Sequence, residues 1–369
     1  MHLTLHLTDA CNLACRYCYV RQSPRVMTRE TARAAVDLAA GSDGPSGIVF
    51  FGGEPLLCRD RIVDTVEYAR EVRRRTGHRF FFKITTNGTL LDEEFLAFSR
   101  RHSMVVGFSH DGLMQDEYRV FHDGRPTAAL LAEKIPLLLR YQPYALSMTT
   151  VNPGTVSRFA ESVIWLFDQG FRYLITTPNY AADAGWTERS LRELERQYRI
   201  LARKYIEWTE REEKFYLGVF EMKILSHLRG QGYCEDRCQL GRRQLSVAPD
   251  GRLYPCTQFI DDPDFLMGDV DSGVDETRRA EVTRRGEATP DTCASCAVRG
   301  RCNYTCGCLN KQATGRIDRV SPVQCRHERM LLPIADALAA SLVKKRNALF
   351  LHKLYNPQYP MLSLIEDRL

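Results

Sequence analysis

Short apolar runs alternate with amphipathic stretches through the first half of the chain. His2–Leu7, Gly47–Phe51, Phe80–Thr85, Met104–Ser109, Ala145–Val151 and Tyr173–Thr177 have the length and the β-branched or aromatic content of buried strands. Between them, Thr28–Ala40, Asp60–Arg75, Asp92–Arg101 and Val156–Gln169 carry apolar residues at helical spacing. This order predicts six βα units, hence a parallel sheet with helices outside. Eight units would close a full barrel, so six predict an open, partial one. Its chemistry is expected at the C-terminal ends of the strands.

The pattern then changes. Thr187 to His227 reads as helical and charged, and Glu188–Glu213 predicts an exposed helix bridging two domains. Nine of the thirteen cysteines fall between Cys234 and Cys325, in a loop-rich segment. Within it, Leu245 to Tyr254 reads as a β-hairpin around an Asp250-Gly251 turn. From Glu328 the chain reads as a helix ending in a tail with prolines. The expected organisation is a barrel over 1–215, a linker over 216–233, a cysteine-rich domain over 234–330, and a helix and tail over 331–369.

Composition matters at three points. The stretch Leu331–Val343 is interrupted by Pro333 and Asp336 and is too short for a bilayer, so no membrane is expected. The N-terminus carries no basic region followed by an apolar run, which predicts a cytoplasmic protein with reduced thiols. Thirteen cysteines, an odd and large number, then point to metal ligation rather than disulfides. The formal charge of +5 falls towards neutrality once cluster-bound thiolates are counted. No basic run with interleaved aromatics appears beyond Arg70–Arg75, so no nucleic-acid partner is expected.

Cys11, Cys15 and Cys18 follow the first strand with C-x3-C-x2-C spacing. Three thiolates on one loop can hold three irons of a [4Fe–4S] cube and leave the fourth iron open for chemistry. A zinc site would want a fourth close ligand, and none is present here. Gly52-Gly53-Glu54-Pro55 follows the second strand, Thr85-Thr86-Asn87-Gly88 the third, and Ser109-His110-Asp111-Gly112 the fourth, with Asp116 and Arg119 shortly after. Four such matches in order, each after an expected strand, resemble the radical S-adenosylmethionine (SAM) superfamily over roughly residues 1–215. The resemblance implies a SAM site built from Tyr17, Gly52, Gly53, Glu54, Asn87, Ser109, Asp111 and Arg119, with Glu54 at the SAM ammonium. It also implies that SAM is cleaved to a 5′-deoxyadenosyl radical.

Downstream, Cys238-x12-Gly251-x4-Cys256, then Cys293-x2-Cys296-x5-Cys302-x3-Cys306, then Cys325 is similar to the SPASM domain of peptide- and protein-modifying radical SAM enzymes. Cys234 adds an eighth thiol. The resemblance implies two auxiliary [4Fe–4S] clusters, on Cys234, Cys238, Cys256 and Cys306 and on Cys293, Cys296, Cys302 and Cys325, for three clusters in all. Zinc remains the alternative for a four-thiolate site. Cys58 and Cys308 are expected to be unligated or to pack in the core. The implied fold class is α/β, a partial (β/α)6 TIM-like barrel followed by a loop-rich iron–sulfur SPASM domain.

Such relatives cross-link side chains of ribosomally made peptides, or oxidise a Ser or Cys of a sulfatase to formylglycine. The length, Thr86–Asp92 and Asp116–Arg119 resemble the sulfatase-maturating group. Those maturases carry an Asp directly after the cysteine matched by Cys256, as general base; here Thr257 and Gln258 follow. A threonine cannot accept a proton at neutral pH unaided. Thr177-Pro178-Asn179-Tyr180 also departs from the group's polar signature. The sequence therefore favours an enzyme that cross-links a ribosomal peptide, with sulfatase maturation as the alternative and with Asp261 and Asp262 as candidate bases. Expected partners are a peptide or protein substrate, a flavodoxin or ferredoxin as reductant, and a separate leader-peptide-binding protein, since Cys11 lies near the start of the chain. An exposed edge of the 245–254 hairpin is a candidate acceptor for a peptide strand.

Overall fold

The computed structural model describes residues 1–230, 240–242 and 244–355. The six expected strands are present: β1 (His2–Thr8), β2 (Ser46–Gly52), β3 (Phe80–Thr86), β4 (Val105–Ser109), β5 (Leu146–Val151) and β6 (Tyr173–Pro178). All pair in parallel in sequence order, and a short β7 (Tyr216–Leu217) follows β6. Helices α1 (Arg29–Ala40), α2 (Arg59–Thr76), α3 (Glu93–Arg101), the single turn α4 (Gln115–Tyr118), α5 (Ala128–Tyr141) and α6 (Phe159–Asp168) lie between the strands.

The alternation within each strand decides what faces where. On β1, Leu3, Leu5 and Leu7 are fully buried with Ile48, Phe50, Ile84, Val106 and Phe108 on neighbouring strands, in the core shared with the helices. In the register Leu5 pairs with Phe50 and Phe50 with Ile84, so the next residues, Phe51 and Thr85, face the barrel interior. The helices start where local chemistry caps them. The Thr28 side chain accepts from the Thr31 N–H, and Asp92 accepts from the Phe95 N–H. Gly77, in the left-handed conformation, ends α2.

The second half departs from expectation in four respects. The helix expected to bridge domains, α7 (Glu188–Glu210), buries Leu191, Leu194, Tyr198, Leu201, Tyr205 and Trp208. It is a packed wall, because those positions form one apolar face. The stretch expected as a linker carries β7 and α8 (Gly218–Arg229), whose Phe220 and Ile224 join the core. The hairpin, β8 (Gln244–Val247) and β9 (Leu253–Tyr254), extends the barrel sheet, since β8 pairs in parallel with β1. The outer edge of β9 is occupied. Met267 N–H donates to the Leu253 carbonyl at 2.8 Å and Val270 N–H to Gly251 at 2.9 Å, just where β10 (Gly268–Asp269) and β11 (Gly273–Val274) turn. The proposed strand-accepting edge is thus filled by the chain itself.

Short helices α9 (Glu276–Glu287), α10 (Asp291–Ala294) and α11 (Gly307–Thr314) carry the cysteine-rich part. The chain then returns to the barrel as α12 (Pro322–Lys345), begun by the Ser321 cap, and ends in α13 (Ala348–Tyr355). Leu331, Leu338 and Leu342 of α12 pack into the core with α7 and α8. A buried Lys223–Glu328 ion pair ties α8 to α12, and His327 sits between the hydroxyls of Tyr180 (2.6 Å) and Tyr198 (2.8 Å). Among the described residues no helix is long and apolar enough to cross a membrane.

Candidate active site

The β1–α1 loop bearing Cys11, Cys15 and Cys18 crosses the C-terminal ends of β1 and β2. Two glycines let it lie there. A Cβ on Gly52 would meet the Thr8 carbonyl oxygen at 2.3 Å, and one on Gly53 would meet that of Ala10 at 2.1 Å. The approach is used, since Gly53 N–H donates to Thr8 (2.7 Å) and Glu54 N–H to Ala10 (2.9 Å).

Glu54 is 0% exposed, and its carboxylate turns inward. It accepts from the Leu56 N–H (3.0 Å), the Thr86 hydroxyl (2.7 Å) and the Asn87 N–H (2.8 Å). Gly52, Gly53 and Asn87 line the cavity described below, and Glu54 is not among its walls. Glu54 therefore clamps the β2 and β3 ends together. Burial raises its pKa to about 7, against the lowering by those three donors. A folded pKa above the unfolded value near 4.5 means that the folded state holds the extra proton. Stability should then fall as pH rises from about 4.5 to about 7, by up to about 3 kcal/mol. Urea unfolding across that window should show the slope, and Glu54→Gln should flatten it; an equal slope in both proteins would contradict the assignment.

Asn87 Nδ2 donates to Asn12 Oδ1 at 2.9 Å and lies 3.7 Å from the Cys11 sulfur; Leu13 N–H is 3.4 Å from the same sulfur. Donors aimed at a ligand sulfur tune a cluster's potential. Burial pushes the Cys11 thiol up to about 12 and that of Cys15 to about 11, so iron binding here must displace protons.

Asp111 is 1% exposed. It accepts from Tyr17 Oη (2.6 Å), Arg119 Nε (3.1 Å) and Thr150 N–H (2.9 Å). It is absent from the cavity lining, whereas Tyr17, Ser109 and Arg119 belong to it. Asp111 thus holds two cavity residues and the β5 end from behind. Arg119 also stacks over the Tyr17 ring at 5.2 Å.

These groups surround a cavity of about 300 Å³ at the barrel mouth. Cys11, Cys15 and Cys18 share it with apolar Phe51, Met148, Ile175 and Pro178. Gln258, Leu309 and Gln312 contribute from the C-terminal part. At its edge Tyr19 Oη and Thr257 Oγ1 are 2.9 Å apart. Among the described lining residues there is no Asp, Glu, His or Lys. The candidate bases stand elsewhere. Asp261 is held by Arg25 and Arg252, and Asp262 pairs with Lys311 and caps Asp264. Both carboxylates are held by these cations, and neither lines the cavity.

Cys293, Cys296, Cys302 and Cys325, the expected second auxiliary set, converge on one small enclosed cavity. Cys234 and Cys238 lie outside the described residues. Among the described residues no three His, Cys, Asp or Glu side chains surround a point suited to a single metal ion. Cys58 lies alone, its sulfur 4.0 Å from the Leu7 carbonyl.

The radical SAM superfamily profile matches residues 5–194, more than half of the chain. The chain belongs to the radical SAM superfamily. Membership carries a [4Fe–4S] cluster and SAM, and three thiols beside a cavity of this size suit that pair. The serine-type anaerobic sulfatase-maturating enzyme of Klebsiella aerogenes is 26% identical over 334 residues, covering 84% of this radical SAM chain and 80% of the relative. That of Bacteroides thetaiotaomicron is 25% identical over 334 residues, covering 80% of each. Among solved structures, native anSMEcpe with bound AdoMet and Cp18Cys peptide superimposes with a TM-score of 0.79 at 19% identity, over 94% of this chain and 100% of that one. Streptococcus suis SuiB bound to precursor peptide SuiA does so at 0.61 and 14%, over 87% and 75%. Both share the α/β fold, with its mostly parallel sheet.

Proposed function

We propose that this radical SAM enzyme is a maturase that oxidises a side chain of a peptide or protein. The carrying observation is the cavity, in which the three-cysteine loop, the strand ends of the barrel and the C-terminal Gln258, Leu309 and Gln312 meet around one volume. When bound, a [4Fe–4S] cluster and SAM would supply the radical chemistry that removes a hydrogen atom from the substrate. Cys11, Cys15 and Cys18, which line the cavity together, would hold the cluster. Asn87 and Leu13 direct donors at Cys11, while Arg119 and Ser109 are positioned for the polar end of SAM, and Tyr17 offers it a ring. Apolar Phe51, Met148 and Ile175 keep water from the reacting carbon. Cys293, Cys296, Cys302 and Cys325, which line one small cavity, would hold an auxiliary cluster, which would supply electron-transfer chemistry.

The relatives' names favour formylglycine formation, which reverses the order that Thr257 suggested from the sequence. Oxidising Ser or Cys to formylglycine removes a hydrogen atom, an electron and a proton, and the proton needs an acceptor. The second reading, cross-linking of a peptide, is favoured by one specific feature: the described cavity walls carry no carboxylate, and a Tyr19–Thr257 hydroxyl pair stands where a base is wanted. The test is anaerobic incubation with SAM, reductant and a sulfatase-type Ser or Cys peptide, then with a peptide offering two reactive side chains. A product that captures a hydrazide probe marks the aldehyde of formylglycine. Loss of two hydrogens without hydrazide capture marks a cross-link. SAM cleavage that leaves both peptides unaltered would contradict the maturase reading itself.

A further inference from the structure

We infer that the substrate peptide adds as a strand to the outer edge of β6, with one side chain in the active-site cavity and its neighbour in a second cavity beside it. The inference rests on the maturase reading above and deepens it, because it names the conformation and the flanking residue that the enzyme selects.

The edge follows from how the sheet ends. β7 has two residues, and its ladder with β6 stops at the pair Leu174–Leu217. Among the described residues no strand covers β6 beyond that pair, from Thr176 to Pro178. Backbone groups along a strand point alternately to its two neighbours. The Arg172 carbonyl accepts from the Tyr216 N–H of β7 at 2.7 Å, and the Asn179 N–H donates to Val151 of β5 at 2.8 Å. Thr176 and Pro178, in step with Arg172, therefore direct their backbone groups outward. Pro178 has no N–H to leave unpaired, and edge strands are where a sheet tolerates proline.

This stretch borders a cavity of about 370 Å³ between β6, α8 and α12. Ile175, Thr177, Pro178 and Leu309 belong to its walls and to those of the active-site cavity, so the two volumes meet at this edge. Thr176 also lines the second cavity, and its hydroxyl is buried without a hydrogen-bond partner. An orphan hydroxyl beside an uncovered strand edge marks a place for a polar ligand. A peptide strand paired here sends alternate side chains to opposite faces. On the inner face they stand beside Ile175 and Thr177, in the active-site cavity. On the other they stand beside Thr176, in the second cavity with Val219 and Met222 of α8. The charges there, Lys223 and Glu328, are already paired with each other. That cavity therefore takes an uncharged side chain, because a lone charge would be desolvated without a counter-ion.

The test uses the reconstituted wild-type enzyme with SAM and reductant. Its probe is whichever of the sulfatase-type and two-side-chain peptides is oxidised, resynthesised with an N-methyl group at one residue at a time. KM should rise at least about fivefold at alternate residues, those whose N–H groups pair with β6. At the residues between them it should stay near that of the unmodified peptide. Lys in place of the residues flanking the oxidised one should raise KM as well. Thr176→Pro, which removes the outward N–H, should raise KM for the unmodified peptide. If that variant fails to fold by circular dichroism, hydrogen exchange of wild type at single-residue resolution serves. The Thr176 N–H should exchange readily in the free enzyme and slowly with peptide bound. An N-methyl series without alternation overturns the inference, as does a Thr176 N–H already protected in the free enzyme. Oxidation of neither peptide would overturn the maturase reading, and the inference with it.

Discussion

Cys15→Ala is expected to lose about four irons per chain and to reduce SAM cleavage to the level of a protein-free control. The other two thiols of the loop cannot hold a cube with one iron left open. The fold should survive, because the loop lies above the strand ends and its sulfur contributes nothing to the leucine core on β1. Asn87→Ala makes the informative comparison. It removes a donor near Cys11 and the link to Asn12, so iron should stay while cleavage falls about 10–100-fold. Iron analysis and 5′-deoxyadenosine chromatography on the same samples separate the two effects. Full cleavage by Cys15→Ala would mean that the cluster sits elsewhere.

The second large effect is on stability. Asp111→Ala should cost about 3–5 kcal/mol, because it strands the Arg119 guanidinium, only 8% exposed, without its partner. It also frees Tyr17 Oη and the Thr150 N–H. SAM affinity should fall more than tenfold alongside, since Tyr17 and Arg119 line the cavity that Asp111 supports from behind. Urea unfolding and equilibrium SAM binding measure both. A loss under about 1 kcal/mol would show that water repairs the site, contrary to this geometry.

Both predictions concern residues that the sequence singles out, one by local spacing and one only by its place after a strand. The C-x3-C-x2-C spacing after a strand places Cys15 on a loop with Cys11 and Cys18, and the structure sets all three on one cavity. Asp111 stood out beside Ser109 as a candidate SAM contact, but its orientation depends on how β4 and β5 register, which period-two patterning does not give. Glu54 is the same case, turned by β3 towards Thr86 and Asn87. The strands were legible because each is a short apolar run between caps. The wall formed by α7 was not, because a helix with a charged outer face reads as exposed until its partner α12 is known. Tyr19 and Gln312 escaped for another reason, and Gln258 stood out only as a neighbour of Cys256. They come together only when the hairpin joins β1 and brings the C-terminal part over the barrel mouth. The adjacency of Tyr19 to Cys18 and the nearness of Gln258 to Cys256 were the local signals available.

The central claim is that a peptide side chain meets the radical inside this cavity. It is tested most directly by incubating the reconstituted enzyme with SAM, reductant and peptides deuterated at the Cβ of Ser, Cys, Tyr or Trp in turn, and analysing the 5′-deoxyadenosine by mass spectrometry. The account predicts deuterium in 5′-deoxyadenosine from at least one peptide, with that peptide oxidised in step. Sustained SAM cleavage with no deuterium transfer from any of them, and no peptide product, would contradict it.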